Sequence, residues 1–193
     1  MLARFLLPAL VIALAGCAGP RPARPIGPLH LESIPLQHRK GAVVQTFAVS
    51  PEQWAALASG FEPPPPTAAA ERAALSRAIA ELERIAGAQT PTHRDRGRYR
   101  AGLLEEGQAD CVDESANTTT YLHLLAQRGL LRHHEVLEPQ WRTKYVVATH
   151  RTAAVRETAT GEAYAIDSWW EDNGGPPLIK PLDVWRRCSE DPP

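Results

Sequence analysis

The chain has 193 residues with 21 basic and 22 acidic side chains, a formal net charge of −1. A protein that holds a phosphate backbone uses a basic excess to do so, and this near-balance excludes nucleic acid as an expected partner. Length and a hydrophobic fraction of 44% allow one domain with a real core and require no second.

The first element is a targeting segment. Arg4 precedes an apolar run from Phe5 to Ala15 that is too short for a permanent membrane span and right for the hydrophobic part of a signal peptide. The run closes on Leu14-Ala15-Gly16-Cys17, which resembles the lipobox of bacterial lipoproteins. That resemblance implies a signal peptide over 1–16, a lipid on Cys17 and attachment to the membrane of the cell envelope. With Ala18 rather than aspartate after the anchor, it implies the periplasmic face of the outer membrane. Prolines at 20, 22, 25, 28 and 35 then oppose helix and sheet, so residues 17–40 read as a lipidated, extended tether and 41–193 as a single domain.

Gly41 to Val49 is β-branched enough for a strand. Ser50-Pro51-Glu52-Gln53 carries a capping box, which predicts a helix from 51 to about Ser59, stopped by Gly60. After the proline run 63–66, Leu75, Ile79, Leu82 and Ala86 recur at helical spacing within an amphipathic helix over 68–86. Arg94, Arg96, Arg98 and Arg100 read as a solvated loop. Asp110 to Gln127 reads as a helix with Val112, Ala116, Thr119 or Thr120, Leu122 and Leu125 inward, closed by Gly129. Its early acids Asp110, Asp113 and Glu114 suit the positive helix end and capping rather than a metal. His133-His134 reads as a turn surface with no zinc-type spacing.

Three β-prone runs follow, 144–149, 151–157 and 162–166, with Thr158 to Gly161 as the turn between the last two. Helices first and a small antiparallel sheet afterwards define an α+β fold. Trp185 is expected to close the core.

These elements set Cys111 at a helix start, His150 at the beginning of a strand and Asp167 at the end of the next. Helix-end N–H groups and a neighbouring imidazolium favour a thiolate. A two-residue turn pairs His150 with Asp167. A four-residue turn pairs Thr152 with Asp167 and leaves His150 one step diagonal; both registers share one face. The acid can then orient the imidazole and the imidazole can serve the thiol, as a triad requires. Gln108 is a candidate amide donor to an oxyanion, alongside the Cys111 N–H. Trp169 and Trp170 follow the acid and are candidate apolar contacts for substrate.

Gly107-Gln108-Ala109-Asp110-Cys111-Val112-Asp113, His150-Arg151-Thr152-Ala153-Ala154-Val155 and Ala165-Ile166-Asp167-Ser168-Trp169 together resemble the transglutaminase-like superfamily, especially its bacterial transglutaminase-like cysteine proteinases. The resemblance implies a papain-like fold, a cysteine-bearing helix on a sheet carrying histidine and aspartate. It also implies acyl transfer on amide or peptide bonds without a cofactor, with a peptide or cell-wall peptide as substrate. The sequence departs from the better known pattern in lacking an aromatic residue after Cys111 and in placing Arg151 after His150. The competing expectation is a non-catalytic envelope lipoprotein of the same fold, with Cys111 and Cys188 joined in a structural disulfide and a role in binding or scaffolding.

Overall fold

A computed structural model describes residues 19–24, 26–98, 105–144 and 148–187. Residues 1–16, expected as a signal peptide, together with Cys17, Arg100 and Cys188, lie outside the described residues. The fold is mixed α+β with two antiparallel sheets. Strands β1 (Ile34–His38) and β2 (Val43–Phe47) form a hairpin, and β3 (His134–Lys144), β4 (Ala148–Glu157), β5 (Ala163–Asp167) and β6 (Leu178–Pro181) form a sheet in that spatial order. Helices α1 (Pro51–Ser59), α2 (Ala68–Gln89) and α3 (Cys111–Gln127) lie between the sheets in sequence, and α4 (Leu182–Arg187) closes the described chain.

The local rules read from sequence hold where they concern helix starts. Ser50 accepts from Gln53 N–H while Gln53 reaches back to Ser50 N–H, so α1 begins at Pro51 with both halves of its capping box. Thr67 caps α2, which runs beyond 86 to Gln89 and buries Leu75, Ile79, Leu82, Ile85 and Ala86. These side chains meet Tyr121, Leu122 and Leu125 of α3 and Ala153, Val155 and Ile166 of the sheet in one core. Burying each large aliphatic there contributes about 1.5–3 kcal/mol relative to exposure.

Three expectations need correction. The inward stripe of α3 was expected to include Val112, but Val112 is 40% exposed; Glu114, Thr118, Tyr121, Leu122 and Leu125 face inward. The inward face of α3 buries polar groups because they have partners there: Thr118 Oγ1 meets Ser168 Oγ at 2.9 Å and Glu114 meets Asp95. His133-His134 is not a free turn surface. His134 opens β3, buried, with Nδ1 2.8 Å from Glu71 Oε1 and Nε2 3.1 Å from the Arg72 guanidinium. An arginine only donates, so Nε2 is the acceptor and the His134 proton sits on Nδ1.

The third correction concerns the proline-rich stretch. Ala23 N–H donates to Val136 O at 2.9 Å and Glu138 N–H to Arg21 O at 3.0 Å, with Pro22 opposite Leu137 on the β3 edge. Ile34, Leu36 and His38 of β1 alternate inward and are buried, and Phe47 of the paired strand packs edge-on to Tyr121 at 6.0 Å. The packed chain thus begins well before residue 41. Prolines at 22 and 35 fit because the first sits at a sheet edge and the second lies in a two-stranded hairpin, where each strand is itself an edge strand.

The register of β4 with β5 pairs Ala153 with Ile166, Ala154 with Ala165, Val155 with Tyr164 and Arg156 with Ala163. Continued by one pair, it sets Thr152 opposite Asp167 and His150 one diagonal step away. The four-residue turn is therefore the one adopted, and Glu157 N–H donating to Glu162 O at 2.8 Å closes it.

Candidate active site

The site is organised by the start of α3. Asp110 is the N-cap: its carboxylate accepts the N–H groups of Val112 at 2.9 Å and Asp113 at 3.0 Å, and Asp113 returns a carboxylate oxygen to Asp110 N–H at 3.3 Å. Cys111 is thus the first helical residue, a half-buried free thiol at the positive end of a 17-residue helix. Among the described residues its backbone N–H has no acceptor, as expected of a first-turn donor.

The loop entering the helix is tightly held. Gly107 adopts φ +88°, and a Cβ there would lie 2.0 Å from Pro91 O, so only glycine lets the two segments approach. The tip of the β1–β2 hairpin closes from above. Lys40 and Gly41 N–H donate to the two Asp113 oxygens at 2.8 and 2.7 Å, and Arg39 N–H donates to Gln108 O at 2.8 Å.

The sheet delivers the other two groups. His150 Nε2 lies 2.7 Å from Asp167 Oδ2, and His150 is also hydrogen-bonded to the Cys111 thiol. With Nε2 given to the acid, Nδ1 is the nitrogen left for sulfur. Asp167 is 1% exposed, and the indole N–H groups of Trp170 and Trp185 both donate to the same Oδ2 at 2.8 Å. Three tryptophans surround the imidazole: ring centroids lie 4.9 Å away for Trp169, 5.7 Å for Trp170 and 5.6 Å for Trp185. Burial alone lowers the His150 pKa, but the bonds to Asp167 and Cys111 outweigh it and raise it to about 9. At neutral pH the ring is a cation beside sulfur, which favours the nucleophilic form of a thiol. The arrangement can attack an acyl carbon and return a proton to the leaving group.

The structure therefore brings Cys111, His150 and Asp167 together and treats the other expected residues differently. Gln108 is buried and its amide is turned to Asp95. Nε2 donates to Asp95 Oδ1 and to the carbonyls of Arg96 at 3.1 Å and Ala109 at 3.3 Å. Both amide hydrogens are spent, so Gln108 offers none toward Cys111. Trp169 and Trp170 are 7% and 4% exposed and act on His150 and Asp167 rather than forming an open wall. Sequence reasoning missed the polar role of Trp185, whose indole N–H needed a buried acceptor. It also missed Asp95, which sits at the end of a 3-10 turn, Pro91–Arg94, and holds Gln108.

Around the site, Arg94 pairs with Glu106 at 3.0 Å, both more than half exposed, and Arg96 and Arg98 are exposed as a solvated loop requires. A polar hollow of about 460 Å³ opens between His93, Arg96, Glu105, Gln108 and Asp172. Among the described residues, no group of three histidine, cysteine or acidic side chains could hold a metal ion, and no helix is long and apolar enough to cross a membrane. Comparison of the chain with protein-family models, curated proteins and solved structures gives no match.

Proposed function

We propose that this protein is a thiol-dependent acyl-transfer enzyme of transglutaminase-like, papain-like type, acting on amide or peptide bonds, with Cys111 as nucleophile, His150 as base and Asp167 as the group that orients it. The observation that carries this reading is the convergence, at one helix start, of a free thiol, an imidazole hydrogen-bonded to it and a buried carboxylate 2.7 Å from the same ring. The sequence resemblance supports it independently, since its cysteine, histidine and aspartate are the three residues that meet. With the proton it shares with Cys111 already held on His150, Cys111 sulfur would bond to the carbonyl carbon, and His150 would pass that proton to the departing amine. Water or a second amine would then release the acyl group.

The test is covalent labelling. An electrophilic peptide probe, such as an acyloxymethyl ketone, should add once to the full chain at Cys111, and Cys111→Ala and His150→Ala should each lose the adduct. Labelling that survives His150→Ala at pH 6, or a mass two units below the reduced chain with no free thiol, would remove the catalytic reading.

We further propose that the chain is a lipid-anchored envelope protein modified on Cys17, with the outer membrane as its site. The apolar run 5–15 and the Leu14-Ala15-Gly16-Cys17 sequence support this. Metabolic labelling with an alkyne-bearing palmitate should tag the wild-type chain and leave Cys17→Ser unlabelled.

A further inference from the structure

Directly behind the Cys111 loop lie two buried acids that the proposed reaction does not use. Asp95 is 7% exposed and Glu114 9%. Asp95 Oδ1 accepts Ala109 N–H at 2.7 Å and a hydrogen of the Gln108 amide, so one carboxylate grips the two residues that lead to the N-cap of α3. On its other side Asp95 is hydrogen-bonded to the Glu114 carboxyl. Two ionised carboxylates cannot share a hydrogen bond, so this contact requires a proton.

Charges facing the pair make its loss costly. Asp113 faces it from α3, Glu83 from α2 and Asp172 from the loop after Trp170, and each is acidic. The nearby guanidinium, Arg84, acts on Glu83 and pairs with Glu81 at 2.9 Å. Burial pushes Asp95 up to about 7 and Glu114 well above the usual carboxylate range. Arg94 and Arg96, on either side of Asp95 in the chain, are exposed, and Arg94 is paired with Glu106 at 3.0 Å.

We propose that Glu114 is kept as a carboxylic acid that donates to Asp95, and that Asp95, so held, is the positioning residue for the Gln108–Ala109 segment and hence for the thiol at the start of α3. Neither acid touches the reacting atoms. Their effect passes through Ala109 N–H and the Gln108 amide. When the pair loses its proton, adjacent negative charges appear in a buried space, and relief comes by letting the Gln108–Ala109 segment move. The consequence for reactivity rests on the nucleophilic reading of Cys111; the clamp itself does not.

The experiment measures two things on the full chain in detergent between pH 6 and 10: the hydrogen-exchange protection factor of Ala109 N–H and the rate constant for alkylation of Cys111 by iodoacetamide. In the wild type, protection of Ala109 should fall at least about tenfold at the alkaline end. Glu114→Gln keeps an N–H donor to Asp95 that does not titrate, so it should hold protection and alkylation at pH 7 within about twofold of wild type and lose the alkaline fall. Glu114→Ala should lose at least about tenfold in both at pH 7. An unchanged Ala109 protection factor in Glu114→Ala, or an alkaline fall in Glu114→Gln equal to that of wild type, would overturn the proposal. If Glu114→Ala does not fold, the Glu114→Gln profile decides alone. Failure of the catalytic reading shows separately, as a Cys111 that takes no acyl probe while Ala109 exchange still responds to Glu114.

Discussion

Asp167 Oδ2 receives three N–H groups, from His150, Trp170 and Trp185, brought from three separate parts of the chain. Deleting one of them leaves the carboxylate bonded but less firmly aimed. Trp185→Phe should cost about 1–3 kcal/mol in stability, the range for a lost hydrogen bond to a buried charge plus lost packing, as read by urea melts. Asp167→Asn should keep the packing but remove the bond that most favours a charged ring. His150 would then titrate below about 9, and NMR titration of its ring protons should show the shift. The cysteine, histidine and aspartate were legible from sequence because two periodic elements and one turn fix their relative placement. Trp185 was not, since an indole 18 residues beyond the acid reads simply as apolar bulk until its N–H is seen to need an acceptor. Gln108 was misleading for the opposite reason: its spacing from Cys111 suits an oxyanion donor, but only the fold reveals that Asp95 competes for the amide.

At the scale of elements, the junction between the β1–β2 hairpin tip and α3 bears much of the order in the site. Asp113 closes the capping box and also accepts Lys40 and Gly41 N–H, so Asp113→Ala removes support from the helix start and the hairpin together. It should destabilise by at least about 2 kcal/mol in urea melts, because those bonds end on a carboxylate. Gly107→Ala should also destabilise, by more than about 1 kcal/mol, since the new Cβ would press on Pro91 O at a positive φ. Helix boundaries were readable because capping chemistry is local. The hairpin was half hidden: Ile34, Leu36 and His38 follow a period of two, but the surrounding prolines argued for an extended tether. The acids of α3's first turn were read as partners of the helix end and its cap; that Glu114 also meets Asp95 and Asp113 the hairpin tip follows from no local rule.

Over the whole molecule, buried groups with raised folded-state pKa values, Asp95, Glu83 and His150 together with Glu114 and Asp113, make stability fall as pH rises. Burial pushes Asp95 up to about 7 and Glu83 up to about 8, and for His150 the Asp167 and Cys111 bonds overcome burial and reach about 9. Each folded-state pKa lies above its unfolded value, so the folded protein holds protons that the unfolded chain has released. The stabilising contribution of Asp95 and Glu83 is complete below about 4.5 and disappears by about 8; that of His150 is complete below about 6.5 and disappears as pH passes about 9. Thermal melts should therefore give a lower Tm at pH 9 than at pH 6.5, and Glu83→Gln should lessen the difference. The α+β class and the β4–β5 register followed from element order and one turn. How the hairpin, α2 and α3 close on each other did not, because it depends on contacts between residues far apart in sequence.

For a chain lipidated on Cys17 as proposed, the attachment of residues 21–23 to the β3 edge would set a leash length. From a lipid on Cys17 to Pro22 there are five residue steps, which span about 17 Å when fully drawn out. A protein so anchored would graze the lipid headgroups rather than sample the space beyond them. Its reach would then end at whatever chains lie within a few molecular layers of the membrane, so geometry as well as chemistry would choose its substrates.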